Sequence, residues 1–137
     1  MKALLTATVI FAAIAITSSC TKGPHDPGKP CVAGFTGHAI VTIAPKYNGR
    51  AIVHSTVQPD TVFVRFNNSP DFPPPRFDTF FVGKPGEDHF HLMNLSCGSY
   101  YMALSVYDTV TAKRYTGGQA LSIGSSDHSI DTTINVN

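Results

Sequence analysis

The sequence predicts an all-β fold, a single antiparallel β-sandwich of about seven strands that occupies residues 31–137. Three observations support this fold class. Apolar and polar residues alternate along five segments, namely residues 39–43, 61–66, 89–92, 100–106 and 130–136. Groups of turn-forming residues separate these segments at residues 47–49, 84–86, 96–98 and 124–127. After residue 20, no segment shows the 3.6-residue apolar period of an amphipathic helix.

The first 19 residues have the composition of a secretory signal. Lys2 is followed by an uncharged, mostly apolar run over residues 3–16, and small residues then precede Cys20. The run is shorter than the roughly 20 residues that cross a bilayer as a helix. A cysteine in this position is typical of a bacterial lipoprotein, so we predict that a signal helix is cleaved after residue 19 and that Cys20 is acylated. The alternative is an ordinary signal peptide cleaved near Ser19.

Residues 20–30 are the predicted connection between the lipid and the domain. Residues 21–30 contain three prolines and two glycines, a composition that prevents a regular element and favours an extended spacer. Beyond residue 19 the chain has nine basic and nine acidic residues, so its formal charge is zero and no basic surface for nucleic acid is expected. We therefore predict a lipid-anchored protein of the bacterial cell envelope, at the outer membrane, with the side of that membrane left open.

Each predicted strand has an apolar face. In chain order, these faces consist of Ala39, Val41 and Ile43; Val62, Val64 and Phe66; Phe90 and Leu92; Tyr100, Met102, Leu104 and Val106; and Ile130, Thr132, Ile134 and Val136. Weaker strand candidates are residues 51–57, 77–82 and 115–123.

Residues 67–76 contain three consecutive prolines, which exclude a central strand and predict a loop at the rim of the sandwich. Phe72, Arg76 and Phe77 are the candidate residues of an exposed aromatic binding rim in and beside this loop. The alternative is an inert loop whose phenylalanines pack on the edge of the sandwich.

Two cysteines, Cys31 and Cys97, lie within the predicted domain. An exported protein reaches an oxidising compartment, so an even number of remaining thiols favours a disulfide. The bridge would close a loop of roughly 66 residues and stabilise the fold by about 4 kcal/mol in the chain-entropy model. The alternative is two separate buried thiols.

The segment Leu95–Tyr100 has leucine, glycine and tyrosine at the spacing found in the centre of transthyretin-like, carboxypeptidase-regulatory-like domains, which it resembles. Residues 60–118 also resemble a group of small lipoproteins of Bacteroidota, through residues 60–67, 77–83, 86–91, 97–101 and 117–118. The resemblance implies a transthyretin-like or immunoglobulin-like sandwich in the envelope. It implies no activity, because the chain ends in Ile-Asn-Val-Asn and lacks the terminal Tyr-Arg-Gly-Ser of the related hydroxyisourate hydrolases.

A short acidic and histidine-rich segment carries the candidate metal chemistry. His89 and His91 are two residues apart on a predicted strand, so their side chains project from one face with Cβ atoms about 7 Å apart. Together with Asp88 and with His54 or His38, they form a candidate site for Zn²⁺ or Cu²⁺. The alternative is an ordinary polar strand face, with Asp88 accepting hydrogen bonds from the preceding turn.

The sequence contains no Gly-x-Ser-x-Gly nucleophile motif, no phosphate-binding loop and no paired-carboxylate motif. We therefore expect a non-enzymatic binding or accessory module without a cofactor. Its expected partners are the membrane, through the lipid, and an unknown protein or glycan, and no nucleic acid. The alternative function is a metal-binding lipoprotein that uses His89 and His91.

Overall fold

The computed structural model describes residues 30–67 and 77–137. This part of the chain contains strands and turns and no helix, so the predicted all-β fold is confirmed. The strands are β1 (Ala39–Tyr47), β2 (Arg50–Ala51), β3 (Thr61–Phe66), β4 (Thr79–Val82), β5 (Phe90–Leu95), β6 (Gly98–Asp108), β7 (Lys113–Ile123) and β8 (Ser129–Asn135). The predicted signal, Cys20, the spacer up to residue 29, Phe72 and Arg76 lie outside the described residues.

The eight strands form two sheets. In the first, which we call sheet A, β1 is central: β8 pairs along one edge, while β5 and β2 pair along the other. In the second, sheet B, the strand order is β4-β3-β6-β7, with antiparallel pairing throughout. The pairing of β1 with β8 is parallel, which the turn pattern of the sequence did not predict. Over residues 30–67 and 77–137, no helix is long and apolar enough to cross a bilayer.

The last residues of the chain join the two sheets along one side. The Val136 amide donates to the Lys46 carbonyl in sheet A at 2.9 Å. Asn137 and Thr116 of sheet B exchange backbone hydrogen bonds of 3.0 and 3.2 Å. The chain approaches so closely here that a Cβ at Gly117 would lie 2.4 Å from the Asn135 carbonyl oxygen. The sandwich is therefore closed beside β7 and β8, and β4 and β5 form its other side.

The facing sides of the two sheets enclose one apolar core. The predicted inward residues of β1, β3, β5 and β6 are buried except Phe66, which is partly buried against the core, and most of them are completely inaccessible to solvent. The largest fully buried side chains are Tyr100, Phe90, Ile43, Ile52, Leu92, Leu95, Met102, Leu104 and Ile134. Alternation therefore predicted most of the core, because each of these strands has solvent on one face only. In the last predicted face, Ile134 and Val136 are buried, whereas Ile130 and Thr132 are partly buried.

The weak strand candidate at residues 51–57 is the main difference in secondary structure. Only Arg50–Ala51 pairs with β1, and the chain then leaves the sheet. Ile52 enters the core, and the His54 amide donates to the Glu87 carbonyl at 2.7 Å instead of extending the ladder. The segment is thus bonded to the turn before β5, which brings it beneath the candidate metal site.

A disulfide joins Cys31 to Cys97, with the two Cα atoms 5.0 Å apart, as predicted. It attaches the segment before β1 to the turn between β5 and β6. The buried Tyr100 strengthens the same junction: its hydroxyl donates to the Ser96 carbonyl at 2.7 Å and accepts from the Gly34 amide at 3.0 Å. The segment before β1 is therefore covalently fixed to the turn between β5 and β6.

Candidate functional site

A tight turn positions the acidic residues that precede β5. The predicted turn at residues 84–86 is present: the Glu87 amide donates to the Lys84 carbonyl at 3.1 Å, and Gly86 adopts a φ of 88°. The Gly86 amide in turn donates to the His54 carbonyl at 3.0 Å. Since both ends of the turn are bonded to the body of the domain, Glu87 and the residues after it enter β5 from a fixed direction.

The two histidines of the acidic segment meet on the outer side of sheet A. Phe90 and Leu92 are buried in the core, so His89 and His91 lie on the opposite side of the strand, as predicted. Their rings lie edge to face with centroids 4.5 Å apart. The two Nε2 atoms are 2.8 Å apart, within hydrogen-bond distance. Two imidazole nitrogens are thereby directed at one point on the surface.

Asp88 determines which nitrogen of His89 is available to a ligand. Its carboxylate oxygen Oδ1 lies 2.7 Å from His89 Nδ1. An ionised carboxylate only accepts hydrogen bonds, so Nδ1 carries a proton and Nε2 is the ring nitrogen directed at His91. A carboxylate bonded to the outer nitrogen of a histidine is the usual arrangement behind a metal-binding imidazole. Asp88 is therefore a positioning residue, and it differs from the direct ligand that the sequence suggested.

Glu87 is the carboxylate that joins the two histidines. One ligand atom from each of Glu87, His89 and His91 can be chosen so that all lie within 4.8 Å of one another. Glu87 Oε1 also accepts a hydrogen bond of 2.7 Å from Lys84 Nζ, and this bond is the main cause that lowers the pKa of Glu87. The hydrogen bond from His89 likewise lowers the pKa of Asp88. Both carboxyl groups are therefore anionic at neutral pH beside the imidazoles.

The spacing of the nitrogens suits a metal ion after a small adjustment. Two Zn–N bonds of about 2.0–2.1 Å at a tetrahedral angle place the nitrogens about 3.3 Å apart. The observed separation of 2.8 Å between His89 Nε2 and His91 Nε2 must therefore widen by about 0.5 Å. His91 is exposed, and His89 is about one-third exposed and bonded to Asp88, so the adjustment falls mainly on the His91 ring.

His54 does not complete this site, contrary to the sequence prediction. Its side chain is fully buried, and Nδ1 lies 2.8 Å from Oδ2 of the equally buried Asp60. The ring packs against Phe90 with centroids 4.3 Å apart, and a Cβ at Gly83 would lie 2.6 Å from it. His54 is thus a core residue that supports the turn from below. The imidazole is held by its carboxylate partner and is closed off from the surface where His91 lies.

His38 lies elsewhere, just before β1, and lines an open groove of about 540 Å³ near the disulfide. The groove is also lined by Thr36, Ser96, Asp127 and His128. Its hydroxyls bond to one another, with Thr36 Oγ1 3.2 Å from Ser96 Oγ, and Asp127 accepts from the Gly124 amide at 2.6 Å. These polar groups form hydrogen bonds within the loops that line the groove. His38 is therefore not part of the cluster of Glu87, His89 and His91.

Glu87 is the site residue that the sequence prediction did not select. It lies two residues before His89 and four before His91. Extending the two-residue period of the histidines backwards by one step would have identified it in preference to Asp88.

Phe77 is the one member of the predicted rim that the structure describes. Its ring packs against Phe63 and Phe80, at centroid distances of 4.8 and 6.2 Å. Phe77, Phe80 and the neighbouring Val82 are each about half exposed. Phe63, Phe77, Phe80 and Val82 form an apolar surface at the β4 side of sheet B, which we call the aromatic edge.

Comparison of the chain with known proteins gave no matching family model, no matching curated protein and no matching solved structure.

Proposed function

We propose that the chain is a lipid-anchored binding module of the bacterial envelope, without enzymatic activity, and that it binds a divalent transition metal ion. The anchor is supported by the apolar leader and by Cys20, and the resemblance to transthyretin-like domains is consistent with a binding role. The metal is supported by the convergence of His89, His91 and Glu87 within 4.8 Å on the outer face of sheet A.

The convergence of these three groups carries the proposal. Two neutral imidazoles and one carboxylate are a common ligand set for Zn²⁺ and also suit Cu²⁺. Asp88 holds His89 through Nδ1, the support that metal-binding histidines usually receive. Lys84 occupies only one oxygen of Glu87, so Oε2 remains for a cation. The site lies at the surface, where a hydrated ion can enter and water can complete the coordination.

Calorimetry tests the metal directly. The full chain, purified in detergent without an affinity tag, is titrated with ZnCl₂, and we expect one equivalent to bind. His89→Ala should weaken binding by at least about tenfold, because it removes one of three protein ligands. His128→Ala is the matched control, since it removes an exposed histidine of the separate groove and should leave the affinity unchanged. Absence of heat from the unaltered chain at micromolar zinc would exclude the metal function.

Asp88→Asn tests the positioning role. The amide cannot hold His89 Nδ1–H as strongly as a carboxylate, so the affinity for zinc should fall about 10- to 100-fold. The circular dichroism spectrum and the urea midpoint should stay unchanged, because Asp88 is exposed. An unchanged zinc affinity would remove Asp88 from the site.

Mass spectrometry tests the anchor separately. The processed chain should begin at a Cys20 that carries fatty acyl groups, and Cys20→Ala should release the protein from the membrane fraction. Each buried acyl methylene contributes about 0.8 kcal/mol to membrane binding, so two or three chains make attachment effectively permanent. An unmodified amino terminus on a membrane-free protein would overturn the anchor and leave the metal proposal intact.

The aromatic edge supports a second candidate function, the binding of a protein or glycan partner. Phe80, on the short edge strand β4, and Phe77, just before that strand, present two rings at 54% and 47% exposure. Aromatic rings at such positions are enriched at binding surfaces. The Cys20→Ala form should enrich a specific partner from envelope extract, and Phe80→Ser should abolish that enrichment without lowering the urea midpoint. Equal capture by both forms would exclude the aromatic edge.

A further inference from the structure

We infer that the aromatic edge binds the aromatic edge of a second copy of this chain, through antiparallel pairing of the two β4 strands. This inference rests on the second candidate function, the binding role of that edge, and names its partner. The feature that carries it is the free side of β4, where backbone groups and apolar side chains face outward together.

The hydrogen-bond pattern of β4 leaves part of its backbone directed away from the sheet. β4 is the last strand of sheet B and pairs with β3 on one side only. The Gly83 amide donates to the Asp60 carbonyl at 2.9 Å, so these two residues form a hydrogen-bonded pair of the ladder. Such pairs alternate along antiparallel strands. Phe81 therefore bonds to β3, whereas the N–H and C=O groups of Phe80 and Val82 are directed away from it.

The side chains of the same two residues are accessible as well. Phe80 is 54% exposed and Val82 is 55% exposed, and both lie on the outer face of sheet B with Phe63. Phe81 points inward instead and packs against Phe35, with ring centroids 5.6 Å apart. Strand addition to a sheet edge uses this combination, since main-chain hydrogen bonds give affinity and alternate side chains give specificity.

The edges formed by β5, β7 and β8 are covered or polar, in contrast to β4. Beside β5, the Gly37 amide donates to the Asn94 carbonyl at 3.1 Å, so the segment before β1 lies against this edge. β7 is bonded to the chain end through Thr116, and the exposed residues of β8 include the charged Asp131. Residues Thr79–Val82 contain no charge and no proline, so β4 lacks two features by which sheet edges usually resist pairing.

Two β4 strands complement each other when they lie antiparallel with the register centred on Phe81. Phe80 of each copy then lies opposite Val82 of the other, and the outward N–H and C=O groups of both residues are paired. The same register sets Asp78 of one copy opposite Lys84 of the other, and both residues are exposed. Opposite charges across a strand pair are stabilising. The partner that this edge fits is therefore its own copy.

The contact is small, so we expect a weak dimer in solution. Beyond residue 19 the formal charge of the chain is zero, so two copies do not repel each other through their net charge. The proposed lipid anchor favours the same contact, because it confines the copies to one membrane and raises their effective concentration.

Sedimentation equilibrium of the Cys20→Ala form tests the pairing. EDTA is present throughout, so that no metal ion can link two copies through His89 and His91. Under these conditions we expect a dimer to be detectable at about 100 μM protein. The circular dichroism spectrum and the urea midpoint of each variant report whether it keeps the fold.

Three substitutions at the edge identify the contact. Val82→Pro removes an outward amide and no hydrogen bond to β3, and it should weaken dimerisation by about tenfold or more. Val82→Thr is the matched control: it keeps the amide and the branched side chain, and dimerisation should stay within about twofold of the unaltered form. Phe80→Lys keeps the backbone and places a charge on the edge, and it should also prevent the dimer.

The outcomes separate this inference from the proposed functions. If the Cys20→Ala form stays monomeric at about 100 μM, or if Val82→Pro and Phe80→Lys dimerise as well as it does, the pairing of β4 is refuted. Equal loss in Val82→Pro and Val82→Thr also refutes it, since the backbone amide would then play no part. A monomer that still captures an envelope partner through Phe80 refutes the pairing and leaves the second candidate function intact. A monomer that captures nothing refutes both, and none of these results bears on zinc binding.

Discussion

Replacement of Cys31 and Cys97 together by serine tests how the beginning of the domain is held. The bridge joins residues separated by 66 positions. For a loop of that length, the chain-entropy model gives a stabilisation of about 4 kcal/mol at 25 °C through the unfolded state. A domain of this size has a total stability of about 5–15 kcal/mol, so the loss would be a large part of it.

Urea denaturation followed by circular dichroism measures this loss on the full chain. The shift in the urea midpoint, multiplied by the dependence of the free energy of unfolding on urea concentration, should give a loss of stability of about 4 kcal/mol. The circular dichroism signal in the absence of urea should stay close to that of the unaltered chain. The fold should survive because the Gly37 amide still donates to Asn94 and the Tyr100 hydroxyl still bonds to Gly34.

Tyr100→Phe is the matched control for that experiment. It keeps the disulfide and the ring, and it removes only the hydroxyl that bonds Gly34 and Ser96. Its cost should be about 1–2 kcal/mol, clearly below that of the double serine variant. If the double variant loses less than Tyr100→Phe does, the loop-closure reasoning is refuted.

Three further variants test the core and one ion pair. Gly83→Ala should destabilise the domain by about 1–3 kcal/mol in thermal unfolding, because its Cβ would lie 2.6 Å from the His54 ring. Leu92→Ala, at a fully buried position, should cost about 2–5 kcal/mol in urea. Burial tends to raise the pKa of Asp108, but the hydrogen bonds it accepts, chiefly from Arg50, hold that pKa below its ordinary value. Its contribution to stability should be complete at neutral pH and be lost as the pH falls below about 4, and Asp108→Asn should lack this pH dependence in urea titrations.

Each of these expectations has a contrary result. Unchanged melting of Gly83→Ala would mean that His54 is less tightly enclosed than the contacts indicate. A Leu92→Ala cost below that of an exposed substitution such as Val110→Ala would remove residue 92 from the core. Equal acid sensitivity of the native chain and of Asp108→Asn would show that other carboxyl groups govern stability in that range.

Several strands could be predicted because apolar and polar residues alternate along them, as the core and solvent sides of a strand alternate. β3 and β6 each have one face on the core and one on solvent, so alternating residues such as Val62 and Val64 report their burial directly. The strand predicted at residues 51–57 was wrong, because burial in this segment does not come from one face of a sheet. After Ala51 the chain follows the turn before β5, where burial of Ile52 and His54 depends on neighbours far along the chain.

Some residues of the candidate site could likewise be predicted from local spacing, and others only from the fold. The two-residue spacing placed His89 and His91 together without knowledge of the fold. The same spacing, extended back by two residues, points to Glu87 as the third member of the cluster, and the sequence prediction selected Asp88 instead. The spacing could not exclude His54, whose burial beside Asp60 results from how residues 52–60 cross beneath β5.

The sequence by itself determined the class of fold and the common side on which His89 and His91 lie, since both depend on short-range periodicity. It favoured a bridge between Cys31 and Cys97, and the structure decided between that bridge and two separate thiols. Only the tertiary structure decided that β8 runs parallel to β1, that residues 136 and 137 close one side of the sandwich, and that His54 is buried with Asp60 away from His89 and His91. The physical reason is that contacts between distant segments depend on the direction and register in which strands meet. Those are properties of the assembled sheets and are absent from any single stretch of sequence.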